Sequence, residues 1–137
     1  MRFESQKNID RENKAIRLFS SIYNLSFEKL GENDIDFKIF KGTKAIAYLE
    51  VKGRHRDLSE AFPLPVAVAK IDKLKAKGLK SVIVWGCNDG IIFGDVDKLE
   101  GIKKLGGRKP RAGASNDIEQ MYYFNDVNLV KKHYDGD

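Results

Sequence analysis

The segment from residue 45 to residue 51 restricts the fold of this chain more than any other. It reads AIAYLEV and is apolar on both faces until Glu50. Strands that are covered on both sides show such apolar runs, whereas strands with one solvated face alternate apolar and polar residues. We therefore expect residues 45–51 to form a central strand of a sheet.

The preceding segments fit a mixed α/β pattern. Residues 9–23 predict an amphipathic helix, because apolar residues recur three, four or seven positions apart. Residues 25–30 predict a weak strand, and residues 35–40 alternate apolar and polar side chains as a half-buried strand does. The sequence KGTK at residues 41–44 predicts a turn between this strand and the central one.

The following segments add a second helix and two strands. After a polar stretch, Pro65 is placed to open a helix that continues to Lys77 and stops at Gly78. Residues 81–85 and 91–96 predict strands joined through a hairpin-type turn of sequence NDG. The predicted order is therefore helix, three strands, helix and two strands.

The last third of the chain is more polar. Residues 101–116 are rich in glycine and basic residues and predict a mobile loop, and residues 121–124 predict an edge strand before a polar tail. A length of 137 residues, 42% of them hydrophobic, fits one compact unit. We expect a single α/β domain over residues 1–137, with a mixed central sheet and a core at about residues 8–96.

Charge and cysteine content narrow the class of protein. The 25 Lys and Arg residues exceed the 20 Asp and Glu residues, and the net charge of +5 is a modest indication of a polyanionic partner. The single cysteine, Cys87, excludes an internal disulfide. No apolar run approaches the roughly 18 residues of a membrane span, and the N-terminus lacks the apolar core of a signal peptide. We expect a soluble, intracellular, cytoplasmic protein without a membrane partner.

Acidic residues near the central strand predict a metal site. Glu50 and Lys52 are two positions apart, so they project from one face of a strand, about 6 to 7 Å from each other. The turn at residues 41–44 allows antiparallel pairing, which brings Asp36 towards Glu50. Carboxylates that converge repel each other and need a cation, and hard oxygen ligands select Mg²⁺ or Mn²⁺. Such a metal polarises a phosphoryl oxygen and lowers the pKa of an attacking water, while Lys52 stabilises negative charge or orients or deprotonates that water.

Glu12 is a further candidate on the first predicted helix. It falls inside the apolar stripe, three residues after Ile9 and four before Ile16. A carboxylate on the inward face of a helix is costly unless it is paired. A metal, a metal-bound water or Lys52 would satisfy it, and the alternative is that Glu12 lies at the edge of the stripe and pairs locally.

With these residues the chain resembles the PD-(D/E)xK nuclease superfamily, which includes restriction endonucleases and Holliday junction resolvases. Asp36 and Glu50-x-Lys52 match its motif, the αβββαβ order matches the restriction-endonuclease-like core, and Glu12 is similar to the acid that many members carry on their first helix. The resemblance covers about residues 8–96. It implies Mg²⁺-dependent hydrolysis of nucleic acid, with Asp36 and Glu50 as metal ligands and Lys52 as the catalytic lysine.

The front of the motif departs from the family pattern. Ile35 stands where the family name has proline, so Asp34 competes with Asp36 for the role of ligand. We prefer Asp36, because it lies deeper in the apolar alternation.

Basic residues around this site predict contacts with nucleic acid. Arg54 and Arg56 follow the catalytic strand directly, where they can hold phosphates next to the scissile one. Lys70 can reach the site from the second helix, whereas Lys73 and Lys77 are better explained as a solvated helix face. A third set, which we call the basic loop, forms either an arm that closes on DNA or a solvated loop; it comprises Arg108, Lys109 and Arg111.

Three functions are compatible with the sequence. The leading one is a metal-dependent DNA endonuclease, either general or structure-selective in the manner of a junction resolvase. A homodimer is compatible with this function, because one site cuts one strand. The second is a non-catalytic nucleic-acid-binding module with the same fold, and the third is a basic α/β protein whose acids form salt bridges. The sequence does not fix DNA over RNA.

Overall fold

The computed structural model describes residues 6–31, 36–106 and 119–134. These residues form two α-helices and nine strands, with short 3-10 turns at Leu58–Glu60 and Val96–Lys98. The bounds are α1 (Gln6–Tyr23), β1 (Ser26–Lys29), β2 (Phe37–Lys41), β3 (Lys44–Gly53), β4 (Leu64–Ala67), α2 (Val68–Lys75), β5 (Lys80–Gly86), β6 (Gly90–Asp95), β7 (Gly101–Gly106), β8 (Glu119–Phe124) and β9 (Val130–His133).

The predicted central strand is confirmed as β3. It is an interior strand of a six-stranded sheet in the order β1-β2-β3-β5-β6-β9. It pairs antiparallel with β2 and parallel with β5, so the sheet is mixed as expected. The turn between β2 and β3 holds Gly42 at a φ of +62°, a left-handed conformation that glycine adopts without strain.

Helix α1 covers one face of this sheet. Ala15 and Ile16 of the helix share a buried apolar cluster with Leu49 and Val51 of β3. Successive residues of a strand point to opposite faces. The side chain of Glu50 therefore projects from the face that α1 does not cover.

The opposite face is covered by α2 and by a second sheet in the order β4-β8-β7. Ile71 of α2 and Phe124 of β8 are buried in one cluster with Trp85 of β5. The indole N–H of Trp85 donates a 3.2 Å hydrogen bond to the carbonyl of Pro65. Trp85 is thus a core residue that connects the two sheets.

The prediction that Pro65 opens the second helix is wrong. Pro65 lies in β4, in register with Tyr123 of β8, and α2 begins only at Val68. Proline cannot donate a ladder hydrogen bond, so it is tolerated in edge strands, and β4 is an edge strand of its sheet. Because the pairing partner lies far along the chain, the local sequence contained no sign of it.

The predictions for the last third of the chain also need correction. Residues 101–106 form strand β7 rather than the start of a mobile loop, and the remainder of that predicted loop lies outside the described residues. Strand β8 is the middle strand of its sheet rather than an edge strand, and the polar tail contains β9, which pairs with β6. Each of these strands pairs with a strand that is distant in the sequence, and the polarity of neighbouring residues does not predict such pairing.

Neither helix in the described part of the chain combines the length and the apolar character that a membrane span requires.

Candidate active site

Asp36 lies immediately before β2, beside the last part of β3. The register pairs Phe37 with Leu49, so Asp36 is one position beyond that pair and next to Glu50. Its Oδ2 accepts a 2.8 Å hydrogen bond from the backbone amide of Val51. The carboxylate thus accepts the hydrogen bond that the backbone of a paired strand would otherwise accept from β3. This hydrogen bond fixes the position of the Asp36 carboxylate. The competing ligand, Asp34, lies outside the described residues.

Glu50 is a buried carboxylate within β3. Its side chain is only 3% exposed. Within the described part of the chain, its Oε1 is buried and has no hydrogen-bond partner. A carboxylate oxygen that loses water without gaining a donor is energetically unfavourable. The site therefore presents an acceptor that a cation or a donor would stabilise.

Two lysines approach the other carboxylate oxygen of Glu50. The Nζ atom of Lys52 lies 3.9 Å from Oε2, and the Nζ atom of Lys70 lies 3.6 Å from it. The lysine side chains are 34% and 39% exposed, so both ammonium groups also face solvent. Lys52 comes from β3 itself and Lys70 from the first turn of α2. The structure thus brings two of the singled-out lysines to the predicted acids.

The pKa values of both carboxyl groups are raised. For Glu50 the largest cause is desolvation by burial, followed by repulsion from Asp36, while Lys70, Lys52 and a hydrogen bond from the Asp36 backbone amide act in the opposite direction. For Asp36, burial again raises the pKa, and the hydrogen bond from the Val51 amide opposes it. A bound cation would favour the ionised form of both groups.

Glu12 does not complete a three-acid cluster with this pair. Searched over the described residues, the structure contains no group of three or more Asp, Glu, His or Cys side chains arranged to hold a metal ion. Glu12 is half-buried on α1, which packs on the face of the sheet that Glu50 does not point to. Its assignment as a metal ligand and catalytic residue stays a prediction.

Arg54 follows β3 as expected, but its side chain forms internal contacts. Its Nε donates to the carbonyl of Ala61 at 3.0 Å and its Nη2 to that of Pro63 at 3.3 Å. Burial and the neighbouring Arg56 lower the pKa of Arg54. Arg54 therefore holds the loop between β3 and β4, whereas Arg56 is exposed next to it. The basic loop lies outside the described residues.

A further aromatic and basic group lies next to the acid pair and was not predicted. Tyr48 precedes Glu50 by two positions on β3, and the Nζ atoms of Lys38 and Lys77 lie 5.8 Å and 5.5 Å from its ring centroid. Lys77 was assigned to a solvated helix face. The group could not be found from local spacing, because its members come from β2, β3 and the end of α2.

Comparisons with known proteins show the family to which the chain belongs. A family model described as "Phage putative PDDEXK endonuclease" matches residues 1–132. Among solved structures, the chain is similar to Archaeoglobus fulgidus Hjc, a Holliday junction resolvase from an archaeal hyperthermophile, with 13% sequence identity and a TM-score of 0.51. That match covers 82% of this chain and 89% of the resolvase. Curated protein sequences give no significant match.

The two matches support each other at different levels. At this low identity, the structural similarity concerns the fold alone, and it agrees with the restriction-endonuclease-like core expected from the sequence. The family match extends over nearly the whole chain, including Asp36, Glu50 and Lys52. The chain therefore belongs to the phage PDDEXK endonuclease family.

Proposed function

We propose that this protein is a Mg²⁺-dependent endonuclease that hydrolyses the phosphodiester backbone of DNA at Asp36, Glu50 and Lys52. The observation that carries the proposal is the state of Glu50. Its carboxylate is buried, one of its oxygens has no donor in the described part of the chain, and the carboxylate of Asp36 raises its pKa. A buried carboxylate oxygen without a donor is costly, and a bound cation would stabilise it.

The residues present fit a hard divalent cation. The two carboxylates on adjacent strands provide the oxygen ligands that Mg²⁺ prefers, and Mn²⁺ accepts the same ligands. Asp36 and Glu50 would hold the ion. When bound, it supplies Lewis-acid polarisation of a phosphate and a more acidic water. The assignment of Glu12 as a third ligand stays a prediction.

The protein side chains have distinct roles in this proposal. The Val51 amide fixes Asp36 through a 2.8 Å hydrogen bond, so one ligand is positioned before substrate binds. Lys52 and Lys70 approach Glu50 Oε2 and are both partly exposed, which leaves their remaining N–H donors directed towards solvent. Lys52 orients the attacking water and stabilises the negative charge that develops on the phosphate. Lys70 neutralises the charge of Glu50 and of a neighbouring phosphate.

Phosphate contacts outside the acid pair complete the proposed substrate surface. Arg56 is exposed at the end of β3, and the basic loop supplies further positive charge. Arg54 contributes mainly by holding the neighbouring loop. We propose that residues 1–132, which the family model matches, act with the short remaining tail as one nuclease domain over residues 1–137.

A cleavage assay tests the proposal. Supercoiled plasmid and branched DNA are incubated with the protein in Mg²⁺, Mn²⁺ or EDTA. We expect metal-dependent cutting that Asp36→Asn and Glu50→Gln abolish, while the exposed control Glu60→Gln cuts like the wild type. Branched DNA is included because the structurally similar Hjc is a Holliday junction resolvase.

The outcomes separate the remaining functions. Cutting that survives in both acid variants rejects the assigned site. Binding of DNA by the intact protein without any cutting supports the non-catalytic binding module instead. Preferred cutting of branched DNA supports the resolvase-like form, and sedimentation of the complex then shows whether two copies act together.

A further inference from the structure

The face of β3 that carries Glu50 continues beyond the acid pair. Tyr48, Glu50 and Lys52 alternate with buried residues, so all three project from the face that α2 partly covers. Tyr48 is half-buried and lies about 6 to 7 Å from Glu50 along the strand. The surface around Tyr48 is therefore the immediate neighbour of the proposed catalytic site.

Two lysines from different elements meet at the ring of Tyr48. Lys38 is directly opposite Tyr48 in the β2–β3 register, and its Nζ lies 5.8 Å from the ring centroid. The Nζ of Lys77, which follows α2, lies 5.5 Å from the same centroid. The negative face of an aromatic ring attracts ammonium groups. Tyr48 thus holds two positive charges together on one side of the acid pair.

Helix α2 forms one wall of this surface. Lys70 in its first turn approaches Glu50, and Lys77 after its last turn approaches Tyr48. The helix therefore runs along β3 in the direction opposite to the strand. Lys38 on β2 lies on the other side, with the exposed Glu28 of β1 next to it at the outer edge. Lysines thus flank the line from Glu50 to Tyr48 on both sides.

We propose that Lys38, Tyr48 and Lys77 form a phosphate-binding subsite for the DNA strand that is cut. This inference rests on the proposed function, because it takes the phosphate at Asp36 and Glu50 to be the scissile one. Adjacent phosphates of one DNA strand are separated by more than the axial rise of about 3.4 Å, because the backbone winds around the helix axis. A separation of about 6 to 7 Å along β3 therefore corresponds to a phosphate next to the scissile one, and the subsite sets the register of the strand.

Tyr48 acts in this subsite by positioning the lysines. The ring restricts the flexible side chains that carry the two ammonium groups, so less conformational freedom is lost when a phosphate binds. A lysine contact with phosphate is independent of base identity, so the subsite adds affinity and register without sequence preference.

Equilibrium binding measures this directly. Fluorescence anisotropy of a labelled duplex is recorded over a range of salt concentrations in EDTA, where no cutting occurs. Each lost phosphate contact reduces the slope of log affinity against log salt by about 0.9. We expect Lys38→Met/Lys77→Met to reduce the slope by about 0.9, which corresponds to the one phosphate that the subsite binds. Under single-turnover conditions, the half-saturating protein concentration should rise while the rate at saturation stays within about threefold.

Matched variants exclude a general effect of charge. Lys14 lies 4.0 Å from the ring of Tyr134, but on α1, which covers the other face of the sheet. Lys14→Met should leave the slope unchanged. Tyr48→Phe keeps the ring and should bind like the wild type, whereas Tyr48→Leu should lose part of the slope. The melting temperature of each variant confirms that it is folded.

The outcomes for the subsite and for the proposed function are separate. A slope unchanged in Lys38→Met/Lys77→Met overturns the subsite, even if the wild type cuts DNA. An equal loss in Lys14→Met also overturns it, because the effect is then one of net charge. If the slope falls as expected but the intact protein never cuts, the subsite stands as a DNA-binding site and the proposed endonuclease activity fails.

Discussion

Replacing Glu50 by glutamine should stabilise the metal-free protein and abolish its response to Mg²⁺. The substitution keeps the size and shape of the side chain and removes the charge that burial and Asp36 disfavour. The atom that replaces Oε1, which has no hydrogen-bond partner within the described residues, belongs to a neutral amide, so its burial costs less than that of a carboxylate oxygen. The lysines that lose an ionic partner are each about one third exposed, so water can solvate them.

The magnitude follows from these contributions. An unsatisfied buried polar group costs about 1–3 kcal/mol, and it costs more when it is charged, so the removal of the charge accounts for the gain. An exposed salt bridge contributes about 0–1 kcal/mol, which is the most that each lysine contact loses. The net gain in the free energy of unfolding is therefore on the order of 1 kcal/mol. For a chain of this length, that corresponds to a rise in melting temperature of about 3–5 °C.

The sign of the pH dependence is also fixed. The pKa of Glu50 is higher in the folded protein than the ordinary value of a glutamate carboxyl group, so the folded state favours the protonated form. The stability that this raised pKa contributes is complete below the ordinary value and is lost as the pH rises through the raised pKa. The stability difference between Glu50→Gln and wild type should therefore increase from pH 4 towards neutral pH.

Addition of Mg²⁺ should reverse the order of stability. A ligand present at ten times its dissociation constant stabilises the folded state by about 1.4 kcal/mol, or roughly 5 °C in melting temperature. We expect this increase in the wild type and in the exposed control Glu60→Gln, but not in Glu50→Gln. Thermal melts followed by circular dichroism, with and without Mg²⁺, measure both effects. A Glu50→Gln protein that is less stable than wild type without metal at neutral pH refutes the reasoning, as does an equal Mg²⁺ response.

Three further predictions address other parts of the site. Lys52→Met should lower the single-turnover cleavage rate by about 10²–10⁴-fold, because the lysine acts on the reacting groups. Its DNA affinity should stay within a few fold of the wild-type affinity. An equal loss of binding and rate would assign Lys52 to DNA binding. Arg54→Ala should lower the free energy of unfolding by about 1 kcal/mol, because two loop carbonyls lose their donor. Urea denaturation measures this loss. Unchanged stability together with weaker DNA binding would instead show that Arg54 contacts phosphate. Replacing all three residues of the basic loop by glutamine should reduce the salt dependence of DNA affinity by about 0.9 per lost contact, and an unchanged slope would show that the loop does not touch phosphate.

The sequence predicted the central part of the fold correctly because the signals there are local. The apolar run of β3, the short turn to β2 and the stripe of α1 each arise from neighbouring residues. Strand alternation places Glu50 and Lys52 on one face, and a short turn leaves antiparallel pairing as the natural arrangement for Asp36. The acid pair and its lysine were therefore predictable before any tertiary contact was known.

The remaining parts depend on contacts between distant segments. Pro65 fits the start of a helix equally well by its local chemistry, and only pairing with β8 makes it part of a strand. The same holds for β7 and β9, whose polar sequences become strands because β8 and β6 offer free edges. The stability of such a strand depends on contacts with its partner strand, so the local sequence of either strand does not predict the pairing.

By itself, the sequence determined the family, the strand that carries the catalytic motif and the side chains that share its face, because chain geometry fixes these within a few residues. Only the tertiary structure decided what surrounds them. It brought Lys70 to 3.6 Å from Glu50, engaged Arg54 with the neighbouring loop, and gathered Lys38 and Lys77 around Tyr48. Glu50 is buried on the face of β3 that α2 approaches, and this burial raises the pKa of its carboxyl group through desolvation.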